Sequence, residues 1–223
     1  RELEPAMLYL AATPAVREVI ISGGDPLLLG TARLERLVSR IRQIEHIDVI
    51  RIATRVPVYL PQRIDSELTT ALAAHHPIWI MTHFNHPAEV TPEAIAGLAR
   101  LCDAGFPVMN QTVLLRGIND TAATLEQLFR KLIRARVRPY YLLQADPVGG
   151  TGHLRTPLNT GLALMESLQG RLSGIALPKL IVDTPGGMGK VPIGPDWVVR
   201  RAPGRTTLRT HRGVEVDYID PPD

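Results

Sequence analysis

The chain has 223 residues, 45% of them hydrophobic and 21% charged, with a formal net charge of +3. That apolar content is enough for one sizeable core, and the length argues for one domain or at most two. The single cysteine, Cys102, excludes a disulfide framework, and 22 scattered arginines against three lysines form no basic run suited to nucleic acid or a membrane surface.

The chain opens inside a helical pattern, ELEPAMLYLAAT (2–13), with Arg1 where an initiator methionine would stand, and the native protein is expected to start further upstream. No segment reads as a signal peptide or as a membrane span of about 20 apolar residues, so a cytoplasmic protein without a nucleic-acid or membrane partner is expected. The first strands expected are REVIISG (17–23), IDVIRIATR (47–55) and PIWIMTHF (77–84). A helix follows, with Thr91 as its N-cap, Pro92 at its first position and Gly105 closing it. After the strand PVMNQTVLLRG (107–117), the residues Leu125, Leu128, Phe129, Leu132 and Ile133 recur at helical spacing as one apolar stripe. RPYYLLQAD (138–146) and PKLIVD (178–183) complete the strands.

Apolar strands joined by helical crossovers predict an α/β fold with a parallel sheet buried on both faces, curled into a barrel or partial barrel. From about Pro192 the pattern changes to the short alternating runs WVVRR, TTLRTHRG and VEVDYI, which predict an antiparallel β extension. The expected layout is a partial barrel over 1–191 and a β extension over 192–223 packed on it.

In such barrels the strand ends carry the chemistry. Three strands here end alike: VIISGGDP, YYLLQADPVGG and LIVDTPGG each place an aspartate (Asp25, Asp146, Asp183) beside glycine or proline. An aspartate before proline or glycine is commonly just a cap or turn former, and three in corresponding places weigh against that for all of them. The glycines add close backbone approach and free N–H groups suited to an anionic ligand.

The stretch DTPGGMGKVP (183–192) places Lys190 in a glycine-rich loop. A solvated surface lysine is the ordinary alternative. At a barrel mouth, however, a lysine amine is also the group that joins carbonyl compounds, pyridoxal phosphate (PLP) among them. The chemistry alone leaves both readings open.

Six co-linear stretches narrow it: REVIISGGDPLLL (17–29), RVPVYLPQRI (55–64), WIMTHFNHPAEVT (79–91), NQTVLLRGIND (110–120), RPYYLLQADPVGG (138–150) with HLRTP (153–157), and VDTPGGMGKVP (182–192). Together they resemble the lysine 2,3-aminomutase family of radical S-adenosylmethionine (SAM) enzymes over nearly the whole chain. The resemblance implies a radical SAM-type partial barrel that uses SAM, PLP and a four-iron, four-sulfur cluster to migrate the α-amino group of L-lysine from C2 to C3. It implies Lys190 as the lysine that holds PLP, with Gly186, Gly187 and Gly189 letting backbone pass close to the cofactor. Asp146 and Asp183 match the acidic pair that grips the terminal ammonium of a lysine-like substrate, and two carboxylates suit a cation while repelling a glutamate. Ser22, Gly23, Gly24 and Asp25 fall in the SAM-contacting segment, and His83 and Gln111 match positions near SAM. For His83 a satisfied core or cap residue, and for Gln111 a loop tie, are the ordinary alternatives.

The chain departs from the family pattern: the cluster motif CxxxCxxC is absent, Cys102, alone in LARLCDAG, cannot replace it, and the cysteine-rich zinc tail of some members is absent from the sequence as well. The motif, the first barrel strand, the arginine for the substrate carboxylate and the contacts to the PLP phosphate are expected upstream, and the chain on its own is expected to be inactive. An electron donor for the cluster and homo-oligomerisation of the full-length form are further expectations. The alternatives are a paralogue that modifies a lysine used on a translation elongation factor, and a PLP-binding barrel without radical chemistry. The complete DTPGGMGK loop argues against the first. PLP binding without SAM dependence would mark the second.

Overall fold

The computed structural model describes residues 3–221; Glu2, the first residue of the expected opening helix, lies outside them. Helix α1 (Glu4–Ala12) precedes a strand–helix alternation: β1 (Glu18–Ile21), α2 (Thr31–Arg42), β2 (Val49–Thr54), α3 (Val56–Tyr59), α4 (Ser66–Ala73) and β3 (Ile78–Thr82). It continues through α5 (Pro92–Asp103), β4 (Val108–Leu114), α6 (Ala122–Arg134), β5 (Arg138–Gln144), α7 (Leu158–Leu168) and β6 (Lys179–Asp183). These six strands pair in parallel in chain order, and β7 (Lys190–Ile193) then joins β6 antiparallel, giving a curled seven-stranded sheet.

Local chemistry sets the helix ends. The Thr91 side chain accepts from Ala94 N–H ahead of Pro92, and Asp65 and Thr121 cap α4 and α6 in the same way. Helix α5 closes as the glycine predicts: Gly105 has a φ of +87°, its N–H reaches Cys102 O and Phe106 N–H reaches Leu101 O, both at 3.1 Å. The apolar stripe of α6 is buried at Leu125, Leu128, Phe129 and Leu132.

The core lies between the helices and the outer face of the sheet, where Ile50, Ile52, Ile78, Ile80 and Leu142 pack with Leu34, Leu68, Leu98 and Leu128. Each fully buried leucine or isoleucine stabilises the fold by about 1.5–3 kcal/mol. Helix α7 approaches closely because residue 161 is glycine: a Cβ there would lie 3.0 Å from the Leu180 side chain.

The sheet is not buried on both faces, as its apolar strands predicted. Burial alternates strictly along β2 and β4, so Arg51, Ala53, Met109, Gln111 and Val113 line a half-exposed concave face. Among the described residues no strand pairs with the outer edge of β1.

The C-terminal runs form a separate antiparallel sheet, β8 (Val198–Ala202), β9 (Arg205–Arg209) and β10 (Glu215–Ile219), in the order β10-β9-β8. An Arg209–Glu166 ion pair at 2.7 Å ties it to α7. Lys190 does not sit in a loop, as its glycine-rich surroundings suggested. It opens β7, and the expected boundary between residues 191 and 192 falls inside that strand.

Candidate functional site

The C-terminal ends of the parallel strands gather most of the expected residues into two places, while Gln111 lies in the middle of β4. The first is a cavity of about 430 Å³ over β1, β2 and β3, lined by Ser22, Gly23, Gly24, Asp25 and His83 together with Arg55 and Tyr59. Gly23 and Gly24 have φ values of +82° and +37°, and open space stands where a Cβ would project. This bare backbone is what a ligand lying across a strand end requires.

Asp25 is held entirely by the protein. Its carboxylate accepts from Thr54 Oγ1 at 2.6 Å, Arg55 N–H at 2.7 Å, the Tyr59 hydroxyl at 2.9 Å and Leu27 N–H at 3.2 Å. It therefore pins the Gly23–Gly24 turn to the end of β2. Arg55 continues the chain of contacts to Glu89 at 3.0 Å, and Glu89 accepts from the backbone N–H groups of Asn85 and His86. Sequence reasoning missed roles for Arg55 and Tyr59, although both lie in the stretch RVPVYLPQRI. The signal was the register of β1 on β2, which brings residue 25 beside residues 54–59.

His83 is fixed through its neighbours. Fully buried Asn110 accepts from Thr82 Oγ1 at 2.9 Å and Phe84 N–H at 2.7 Å, and donates to Phe84 O at 3.0 Å and Thr112 Oγ1 at 2.9 Å. One side chain thus grips the Thr82 hydroxyl and the Phe84 backbone, on either side of His83, and stands next to Gln111. Asn110→Ala would leave the Phe84 N–H buried and unpaired, since Thr82 Oγ1 also donates to Met109 O and Thr112 Oγ1 to Phe84 O, at a cost of about 2 kcal/mol. A lowered denaturation midpoint is the expected reading.

Burial lowers the imidazole pKa of His83, Arg55 lowers it further, and Asp25 opposes both. The unfolded chain therefore takes up this proton at a higher pH than the folded one. The contribution to stability is complete above about pH 6.5 and is lost as pH falls below that value toward the folded pKa. An NMR titration is expected to place His83 below a solvated histidine, and Arg55→Gln should raise it.

The second place is the far edge of the sheet. Asp183 ends β6, Lys190 begins β7, and the two are direct cross-strand partners, with Lys190 Nζ 2.5 Å from each carboxylate oxygen of Asp183. The intervening turn needs its glycines, since Gly186, Gly187 and Gly189 have φ values of +75°, +72° and +103° with open space above each. Asp146 lies just past the end of β5, beside β6, and is exposed. Gln111, at a half-exposed position of β4, faces the same side of the sheet as its register partner Tyr141.

An amine at the mouth of a barrel beside open glycine backbone fits a carbonyl cofactor, and the glycine turn after β1 fits a ligand with a flexible charged end. The chain's residues do not fit an iron–sulfur cluster: Cys102 is the one cysteine, and among the described residues no group of three His, Cys, Asp or Glu side chains could hold a metal ion. A wider cavity, of about 980 Å³, runs along the free edge of β1 against α1 and α2 and opens onto Ser22–Asp25.

Comparison with known proteins shows what the chain is similar to. A family model described as Lysine-2,3-aminomutase matches residues 165–223. The L-lysine 2,3-aminomutase of Fusobacterium nucleatum is 48% identical over 219 residues, covering 98% of this chain and 52% of the relative. The glutamate 2,3-aminomutase of Clostridioides difficile is 39% identical over 220 residues, covering 99% of this chain and 52% of that one. Among solved structures, a radical SAM methyltransferase from Sphaerobacter thermophilus shares the fold with a TM-score of 0.53 at 20% identity, over 75% of this chain and 51% of that one. The chain spans about half the length of the curated relatives it matches.

Proposed function

The chain belongs to the lysine 2,3-aminomutase family, and on that premise we propose that it carries the PLP-lysine and substrate-cation half of a radical SAM aminomutase converting L-lysine to β-lysine. The observation that carries this reading is Lys190 opposed to Asp183 across β6 and β7, with Asp146 past the end of the adjacent strand. Relatives acting on lysine and on glutamate both resemble the chain, so resemblance does not choose the substrate. The side chains do. Two carboxylates at one strand-end edge favour a terminal ammonium and repel a terminal carboxylate.

When bound, SAM would supply a hydrogen-abstracting radical and PLP the carbonyl that carries the migrating amino group. The chain's own part is binding and orientation. Ser22, Gly23 and Gly24 offer backbone to the SAM end, His83 lines the same cavity, Gln111 faces the open side of the sheet from β4, and Asp25 keeps the glycine turn in place through Thr54, Arg55 and Tyr59. Lys190 offers its amine, Gly186, Gly187 and Gly189 keep backbone clear beside it, and Asp146 and Asp183 take the substrate's far cation. The cluster and its electron donor belong to residues or partners outside this chain.

The test is an anaerobic assay of the full-length protein with SAM, PLP, reductant and L-lysine. β-Lysine formation that requires both SAM and PLP is the expected result. PLP capture with no SAM-dependent product would instead support a PLP barrel without radical chemistry. Modification of a protein-borne lysine would support the paralogue acting on a translation factor.

A further inference from the structure

The Lys190–Asp183 contact is set by backbone. The two residues are register partners, and the turn between them is closed by Thr184, whose N–H and Oγ1 both donate to Gly189 O at 3.0 and 2.7 Å. Lys190 Nζ lies 2.5 Å from both Asp183 oxygens, so neither oxygen is left free of it. The pair is nonetheless reachable, with the Lys190 side chain 47% and the Asp183 side chain 34% exposed. Among the described residues Asp146 has no side-chain partner.

Resting on the reading of Lys190 as the PLP lysine and Asp183 as part of the cation site, we propose that the cofactor-free chain occludes its own substrate site. The Lys190 ammonium occupies the carboxylate that takes the terminal cation of the substrate. A second cation arriving at Asp183 meets a like charge and oxygens already engaged, so it binds well only once Lys190 has been withdrawn. The order of loading follows: Lys190 is committed first, and the cation-terminated substrate binds second. One carboxylate serves two ammonium groups in turn, and an incompletely assembled protein does not hold substrate.

The three lysines, Lys131, Lys179 and Lys190, allow a self-referenced test. The cofactor-free full-length protein is pulse-labelled with acetic anhydride, and the labelling of each lysine is read by peptide mass spectrometry. Lys190 is expected to react more slowly than exposed Lys179. In Asp183→Asn its rate relative to Lys179 should rise about tenfold, and in the unaltered protein 0.5 M salt should raise it several-fold by screening the part-exposed pair. A second measurement uses 4-guanidinobutyrate, which has a terminal cation and no amine. Lys190→Met should bind it about tenfold more tightly than the unaltered cofactor-free protein does. An unchanged Lys190 rate in Asp183→Asn, or unchanged affinity in Lys190→Met, overturns the proposal. Failure of PLP to attach at Lys190, with the labelling result intact, would overturn the cofactor assignment and leave the occluding contact standing.

Discussion

Lys190→Ala is expected to abolish covalent retention of PLP and to lower lysine rearrangement by at least ~10³-fold, a loss of about 4 kcal/mol of transition-state stabilisation. The size of the effect follows from what the amine does. No other lysine can replace it. Lys131 lies on α6 with its ammonium donating to Pro87 O at 2.8 Å, and Lys179 stands at the opposite end of β6 from Asp183. Borohydride treatment of the PLP-loaded protein should therefore fix the pyridoxyl group on the peptide containing Lys190, and label on Lys131 or Lys179 instead would refute the assignment. Lys190→Arg separates charge from nucleophilicity. A guanidinium keeps a cation beside Asp183 and preserves the β6–β7 edge, but it is always protonated and cannot join a carbonyl. Its thermal stability should stay near that of the unaltered protein while PLP retention is lost. Retained cofactor and turnover in both variants would show that Lys190 is a surface ion-pair residue and no more.

The strands were legible because each is a short β-branched run bounded by proline, glycine or aspartate, and all six candidates are strands within a few residues of their expected limits. The exposed concave face was not legible, since Arg51 between Ile50 and Ile52 reads equally as a tolerated charge in a two-sided strand. Strand β7 was missed for a physical reason. KVPI is four residues long and contains Pro192, which lacks an N–H and reads as a strand breaker. On the last strand of a sheet one side needs no donor, so proline is accommodated there. The strand-end aspartates were visible as a set, but the sequence could not separate their fates. Asp25 is saturated by four protein donors, Asp183 is gripped by Lys190, and Asp146 is exposed. Those differences come from contacts across about 30 residues for Asp25 and from a hairpin register for Asp183, and neither is encoded in local spacing. The same holds for Arg55 and Tyr59, whose place beside Gly23 and Gly24 depends on the pairing of β1 with β2.

Asp183→Asn and Asp146→Asn are each expected to raise KM for lysine by about 10- to 100-fold, the equivalent of one charge-assisted hydrogen bond to the terminal ammonium, with a smaller change in kcat. The split between the two constants is the informative part, because the cation lies at the far end of the substrate from the migrating amino group. A residue that only anchors it removes binding energy from ground state and transition state alike. The two variants should not be equivalent. The Asp146 side chain makes no hydrogen bond or ion pair among the described residues, so its loss removes one interaction with the substrate and no bond within the protein. Asp183→Asn also releases Lys190, so part of its binding loss should be offset by easier loading of the cofactor, seen as faster PLP uptake in the same protein. The double variant should then fall short of the product of the single effects, as expected for groups sharing one partner. Discrimination between lysine and glutamate is the sharper readout. With both carboxylates present a terminal carboxylate meets two like charges, and with both made amides that repulsion disappears, so the preference for lysine should fall by at least ~10²-fold. Unaltered KM and unaltered discrimination in both single variants would remove the acidic pair from the substrate site and, with it, the reason for reading this chain as a lysine rather than a glutamate enzyme.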